Sequence, residues 1–237
     1  VENAQGATAP REIRSAAEIL PEAREFVREH LAGAKASEYG RRYRYEHCLR
    51  VARIGREIAI AEDMDPDLLE LGCLLHDVGK YDAEVPVDHG RAGGLVALEF
   101  LLAEGLPAVQ AEELAQGIAM HTDGLWNARS DDEGSPRDAR GREYLSFDRE
   151  PSLLARSIGD CDNVDRFSLY RVADTLRYVR FMEKSTHEQR VWIAGNLEYL
   201  DSQYSYQCST AAAQARWERA LARQIEFYQG LATEIGE

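Results

Sequence analysis

The sequence predicts an all-α fold, a helical bundle with additional C-terminal helices, on three observations. Apolar residues recur at steps of three and four through most of the chain, the period of a helix with one buried face. No stretch alternates apolar and polar residues as a half-buried strand would. Helix-start punctuation also recurs. Asp65 can cap a first turn, and Pro66 after it suits that turn's first position.

Taken in order, residues 1–40 read as an N-terminal tail with two short helices, near 10–19 and 21–32, each placed by a proline, Pro10 and Pro21. The opening VENAQGATAP is rich in small residues and reads as disordered. Helices over 42–62 and 66–78 follow. The second contains LLELGCLLH, apolar nearly all round and therefore expected at the centre of the core. Helices over 89–104, 107–121 and 151–168 complete a core unit spanning 41–170. A charged insertion at 126–150, holding Gly134, Pro136 and Gly141, interrupts it and reads as a lid, a binding loop or a disordered connection. Two long helices, 171–204 and 210–235, form a C-terminal extension over 171–237. Their aromatic residues are expected to pack back onto the core or to pair in a homodimer.

Composition narrows the function. The 237 residues are 44% hydrophobic and 30% charged, ordinary for a globular chain with a real core. The net charge of −14 repels nucleic acid, so no DNA or RNA partner is expected. No apolar run approaches the roughly 18–20 residues of a membrane span, so no membrane partner is expected either. Cys48, Cys73, Cys161 and Cys208 lie far apart without a CxxC pair, which suits reduced, packing thiols in a cytoplasmic protein.

The informative residues lie on the apolar stripes. His47 shares a face with Val51, Ile54 and Ile58, and His76 follows Leu69 and Cys73. His89 opens a stripe through Gly93, Val96 and Phe100, and Ala111, Leu114 and Ile118 lead to His121. Asp160 shares a face with Leu153, Ser157 and Val164. Any one such histidine is more often a satisfied core residue than a ligand. The chain has six histidines, however, and four fall on inward stripes alongside Asp77 and Asp160, whereas His30 and His187 lack that context. A metal is an economical way to satisfy so many buried polar groups at once. Imidazole mixed with carboxylate suits iron, manganese, zinc, cobalt or nickel better than calcium or magnesium alone.

The order His47, then His76-Asp77 in LLHDVGK, then Asp160 resembles the HD superfamily of metal-dependent phosphohydrolases, all-helical enzymes named for that dipeptide. DHGRAGG at 88–94 and MHTDG at 120–124 resemble the subset that holds two metals. Arg44 in RYEH and Arg166 in DCDNVDR are similar in placement to arginines of the bacterial symmetrical diadenosine tetraphosphatases. The likeness runs over about residues 41–167. It departs from the pattern in IGDCDNVD, where Gly159 replaces the usual alanine and a second carboxylate, Asp162, stands two residues beyond Asp160.

The resemblance implies two divalent transition metal ions, iron first, with manganese or another such metal as the alternative. His47, His76, Asp77 and Asp160 would hold one ion, with Asp162 the rival to Asp160. His89 and His121 would hold the other, with Asp77 bridging. Asp77 and Lys80 would be the catalytic residues, and Arg44, Lys80 and Arg166 would grip phosphates. The function so implied is hydrolysis of a phosphoester or phosphoanhydride bond in a small phosphorylated substrate, a nucleotide or dinucleotide, by metal-activated water. The same ligand set also fits HD-type diiron oxygenases that cleave C–C or C–P bonds. Gly79 is expected to end the helix carrying His76-Asp77, so that Lys80 turns toward the pocket. Arg137, Arg140, Arg142 and Arg149 read mainly as a solvated charged segment.

Overall fold

A computed structural model describes residues 12–127 and 137–235. The disordered opening segment expected at residues 1–10 and the middle of the 126–150 insertion lie outside the described residues. Within them the chain forms nine α-helices: α1 (Ala16–Ala32), α2 (Glu38–Ala61), α3 (Pro66–Leu75), α4 (His89–Ala103), α5 (Ala108–Met120), α6 (Leu153–Arg166), α7 (Leu169–Tyr178), α8 (Thr186–Ser202) and α9 (Ala211–Glu234). Extended pairing among the described residues amounts to one antiparallel bridge, Arg137 with Glu143. The all-α expectation is met. No described helix is long and apolar enough to cross a membrane.

Local signals explain most boundaries. The Asp65 side chain accepts from the amides of Asp67 and Leu68, and Pro66 opens α3 as expected. The two short helices expected before residue 33 are one. A capping box, Ser15 with Glu18, starts α1, and its buried stripe of Ala16, Ile19, Leu20, Ala23, Val27 and Leu31 runs straight across Pro21. Burial of that continuous stripe outweighs the one backbone bond the proline removes. The single helix expected over 171–204 is broken instead. Arg180 takes a left-handed conformation at φ 52°, a 3-10 turn covers Phe181–Glu183, and a second capping box, Ser185 with Glu188, restarts the chain as α8. That box was legible as S-x-x-E in STHE.

Packing centres on α3, whose residues from Leu68 to Leu75 are all buried. Helices α1, α2, α5 and α6 surround it, α4 packs on α5, and α9 lies across α8, α6 and α7. One cluster of buried apolar residues extends from Ile19 through Leu71, Leu114 and Ile158 to Trp217 and Tyr228, so the C-terminal helices share the core of the rest. Trp217, 1% exposed, meets Phe167 edge to face at 4.6 Å.

Helix α3 stops at Leu75, earlier than expected, and His76–Asp82 forms consecutive turns. Gly79 therefore does not terminate the helix. A Cβ there would lie 2.2 Å from the Gly93 nitrogen and 2.7 Å from the His89 carbonyl oxygen, so its role is to let α4 approach the His76-Asp77 turn. Gly79→Ala should cost about 1–3 kcal/mol by overpacking. In urea titration the midpoint should fall with little change in slope. An unchanged midpoint would show that the approach is not tight.

Candidate metal centre

Five elements converge on one buried point. His47 comes from α2, His76 and Asp77 from the turn after α3, His89 from the start of α4, His121 from just past α5, and Asp162 from α6. His76 is fully buried, His47 is 3% exposed and Asp77 2%.

Each ring is fixed through its Nδ1. His76 donates to the Cys73 carbonyl at 2.7 Å, His121 to the Ile118 carbonyl at 2.7 Å, and His89 to the Pro86 carbonyl. A carbonyl only accepts, so Nδ1 carries the proton and Nε2 presents a lone pair. The Nδ1 of His47 meets the Asp165 carboxylate at 2.7 Å, and Arg50 holds that carboxylate with two bonds, at 2.9 and 3.1 Å.

The four Nε2 atoms face Asp77. Its Oδ2 lies 3.5 Å from that of His47 and 3.4 Å from that of His76. Its Oδ1 lies 3.0 Å from that of His89 and 3.8 Å from that of His121. One carboxylate thus divides the four imidazoles into two pairs. Asp162 closes the first pair, its Oδ1 at 3.0 Å from His47 Nε2 and 3.6 Å from His76 Nε2. Two sets of ligand atoms, His47–His76–Asp162 and His76–Asp77–His121, each lie close enough together to hold an ion, and they share His76, whose one free nitrogen can serve only one ion at a time.

The donor chemistry fits cations. His47 and His76 bring their Nε2 atoms to 3.2 Å of each other, and Asp77 Oδ1 is buried without a hydrogen-bond partner. Lone pairs so close, with an unpartnered carboxylate oxygen beside them, need positive charge among them. Without a metal, protons fill the role. Burial would lower the His47 and His76 basicities, but bonds to Asp162 and Asp165 raise that of His47, and Asp77 and Asp162 raise that of His76 well above 6.5. Asp77, despite burial, is held well below the usual carboxylate range by Arg44 and His76, and Asp162 by His47 and His76. At His121 burial wins, reinforced by His89 and His76, and its basicity falls.

Asp160, expected as the final ligand, is not in the cluster. Its Oδ1 accepts from the Tyr206 hydroxyl at 2.8 Å and its Oδ2 from the Ser209 amide at 2.7 Å, so it anchors the segment before α9. The rival, Asp162, takes the inward place. Asp165, not foreseen, positions His47. The Nζ of Lys80 lies 3.3 Å from His89 Nε2. Arg44, expected to grip phosphate, is instead ion-paired to Asp77 Oδ2, because the buried carboxylate beside it takes the guanidinium. Arg91, also unforeseen, ties the start of α4 to the turn after α5, at 3.0 Å from Asp88 and 2.9 Å from Asp123.

The cluster floors a cavity of about 410 Å³ that Arg166 and Arg171 also line. Among the described residues Arg166 has no acidic partner, and the nearest acid to Arg171 is Asp174 at 4.0 Å. Arg142 bonds Asp138 and Glu99, Arg137 bonds Glu143, and Arg149 reaches the Val109 carbonyl, so these insertion arginines contact neighbouring backbone and acids and do not line this cavity. Cys48, Cys73, Cys161 and Cys208 are free, and burial pushes the Cys48 thiol up to about 11, as suits packing thiols.

An all-helical bundle with clustered histidines and aspartates that could hold metal at its centre defines a class of helical domain, and sequence comparison identifies it. The HD domain model matches residues 44–166, slightly more than half of the chain, and the protein belongs to that family. Two solved structures share the fold. One is a predicted HD superfamily hydrolase from an uncultured Thermotogales bacterium, with TM-score 0.61, 20% identity, and coverage of 92% of this chain and 94% of that one. The other is Bacillus subtilis YpgQ in complex with ADP, with TM-score 0.60, 15% identity, and coverage of 93% and 97%. An uncharacterized protein of Methanocaldococcus jannaschii, MJ0778, is 32% identical over 78 residues, 31% of this chain and 46% of that protein. The chain therefore matches less than half the length of that relative.

Asp162→Ala should lower metal content measured by elemental analysis, whereas Asp160→Ala should retain metal and instead speed proteolysis ahead of α9. Equal metal loss in both would return Asp160 to the ligand set. Asp165→Asn should weaken metal binding about 10–100-fold. The pH dependence has a definite sign. A raised histidine value means that protons compete with metal, so affinity should rise with pH until it passes the raised values of His47 and His76. In the metal-free chain the same shifts stabilise the fold below 6.5, and that contribution fades as pH climbs through the raised folded values. Calorimetry in buffers of different ionisation enthalpy should register proton release on metal binding near pH 7, and none would refute the competition.

Proposed function

We propose that the protein is a metal-dependent phosphohydrolase acting on a nucleotide or dinucleotide. The observation that carries this reading is the division of four imidazoles by Asp77 at the floor of a cavity with guanidinium groups on its wall. His47, His76 and Asp162 would hold one divalent cation, His89 and His121 a second, and Asp77 would serve both. Such cations supply Lewis acidity toward a phosphoryl oxygen and activate water for in-line attack.

The remaining work falls to the chain. Arg166 and Arg171 are placed to take non-reacting phosphate oxygens, with the fork geometry that suits phosphate. Arg44 keeps Asp77 ionised and aimed. Burial lowers the Lys80 value, with Arg44 and Arg166 assisting, while Asp77 and Asp162 oppose the shift. An ammonium made more acidic in this way suits donation of a proton toward a departing oxygen. Arg166 and Arg171 also line an adjoining cavity of about 200 Å³ with Asn196 and Tyr199, where Asn196 Nδ2 and Arg171 Nε are buried and unpartnered. We place the substrate beyond its phosphates there. The ADP bound by Bacillus subtilis YpgQ supports a nucleotide as the class. The alternative expectation, a diiron oxygenase, is not favoured. One structural relative is described as a predicted HD superfamily hydrolase, and the wall cations suit phosphate.

The test is phosphate release from a nucleotide panel including diadenosine tetraphosphate, with manganese or ferrous iron, run beside oxygen consumption. Turnover should appear in the first assay, vanish in Asp77→Ala, and show a KM raised about 10-fold or more in Arg166→Ala, the loss expected for one charge-assisted phosphate contact. Oxygen uptake without phosphate release by metal-loaded protein would overturn the reading.

A further inference from the structure

A second charged cavity, of about 450 Å³, lies between α2, the start of α7 and α9. Its wall carries Arg50 and Arg53 from α2 and Arg216, Arg219 and Arg223 from α9, the last three at steps of three and four on one helix face. Five guanidinium groups in one groove are unexpected on a chain of net charge −14. Local acids neutralise them only in part. Arg50 pairs with Asp165, and Arg53 and Arg216 share Glu57 at 2.9 and 2.7 Å. Arg219 and Arg223 have no acidic partner among the described residues, although the chain has 42 acidic side chains to offer. Two unpaired guanidinium groups beside three paired ones leave the groove a positive field that attracts an anion.

We propose that this groove binds a small phosphate-chain anion, a diphosphate or the diphosphate of a nucleotide, and that its occupancy is felt at the metal centre. Guanidinium pairs match phosphate oxygens bidentately, and the volume is that of an ordinary small-molecule site. The link is physical and short. Arg50 lines the groove, binds Asp165 through two bonds, and stacks at 4.0 Å on the ring of Tyr170 at the groove edge. Asp165 in turn positions His47 at 2.7 Å. An anion that draws Arg50 away loosens Asp165 and hence His47, so occupancy weakens metal retention. The binding half stands on the groove alone; the regulatory half rests on the metal-centre reading above.

The test uses two hydrolysis-resistant probes, methylenediphosphonate and α,β-methylene-ADP, titrated calorimetrically into the wild-type protein and into an Arg219→Ala/Arg223→Ala variant. The variant should lose one binding event or bind at least 10-fold more weakly, with basal turnover within about twofold of wild type. Tighter binding of the nucleotide probe than of the diphosphonate would assign the groove to nucleotides, and equal binding to the phosphate chain itself. Metal loss to a chelator is then compared between the two proteins at one diphosphonate concentration, because the probe also binds metal in solution. Faster loss in the wild type supports the coupling, and equal loss overturns it whatever the binding result. Identical isotherms in both proteins would overturn the site. So would a variant that changes only oligomeric state, which would mean that the groove seats an acidic face of a second copy.

Discussion

The fold depends on one constraint, which is that four imidazoles and two carboxylates must share a buried point without leaving a lone pair unanswered. The backbone solves most of it locally. His76, His89 and His121 each donate Nδ1–H to the carbonyl three residues earlier, of Cys73, Pro86 and Ile118. His76 and His121 sit where α3 and α5 end, and His89 where a 3-10 turn ends. The Cys73 carbonyl lies in the last turn of α3, where carbonyls lack intrahelical partners, so one bond both satisfies that helix terminus and fixes the ring tautomer. His47 lies inside α2, where those carbonyls are already used. It therefore needs a side-chain partner, and this accounts for Asp165 and for Arg50 behind it.

The rest of the bundle keeps these rings in register. The missing side chain at Gly79 lets α4 reach the His76-Asp77 turn, and Arg91 holds the start of α4 to the turn carrying His121. The C-terminal helices contribute through Asp160, which takes the Tyr206 hydroxyl and the Ser209 amide on the same helix that presents Asp162 inward. Helix α6 thus gives one carboxylate to the centre and one to the extension. A change in how the C-terminal helices seat would be transmitted to Asp162 over two residues.

What could be read from the sequence follows from which interactions are local. His47, His76, His89 and His121 were visible because each continues an apolar stripe at helical spacing, and the structure brings all four together with Asp77. Asp160 carried the same signal and misled, because its partners lie 46 and 49 residues away and no periodicity reveals them. Asp162 and Asp165, three apart on α6 beside buried Ile158 and Cys161, did offer a signal of paired carboxylates on one face. The break at Arg180 was harder to read, since a left-handed arginine has no sequence signature of its own, although the following Ser185–Glu188 box did. The arginine groove joins residues of α2 and α9, and neither helix announces it alone.

Metal stoichiometry bears most directly on the account. Elemental analysis of the anaerobically purified wild-type chain should find close to two transition metal ions per polypeptide, released together on acidification as the imidazoles protonate. A chain carrying none, or one, even after reconstitution with ferrous iron or manganese and desalting, would contradict the division of the four imidazoles between two ions by Asp77.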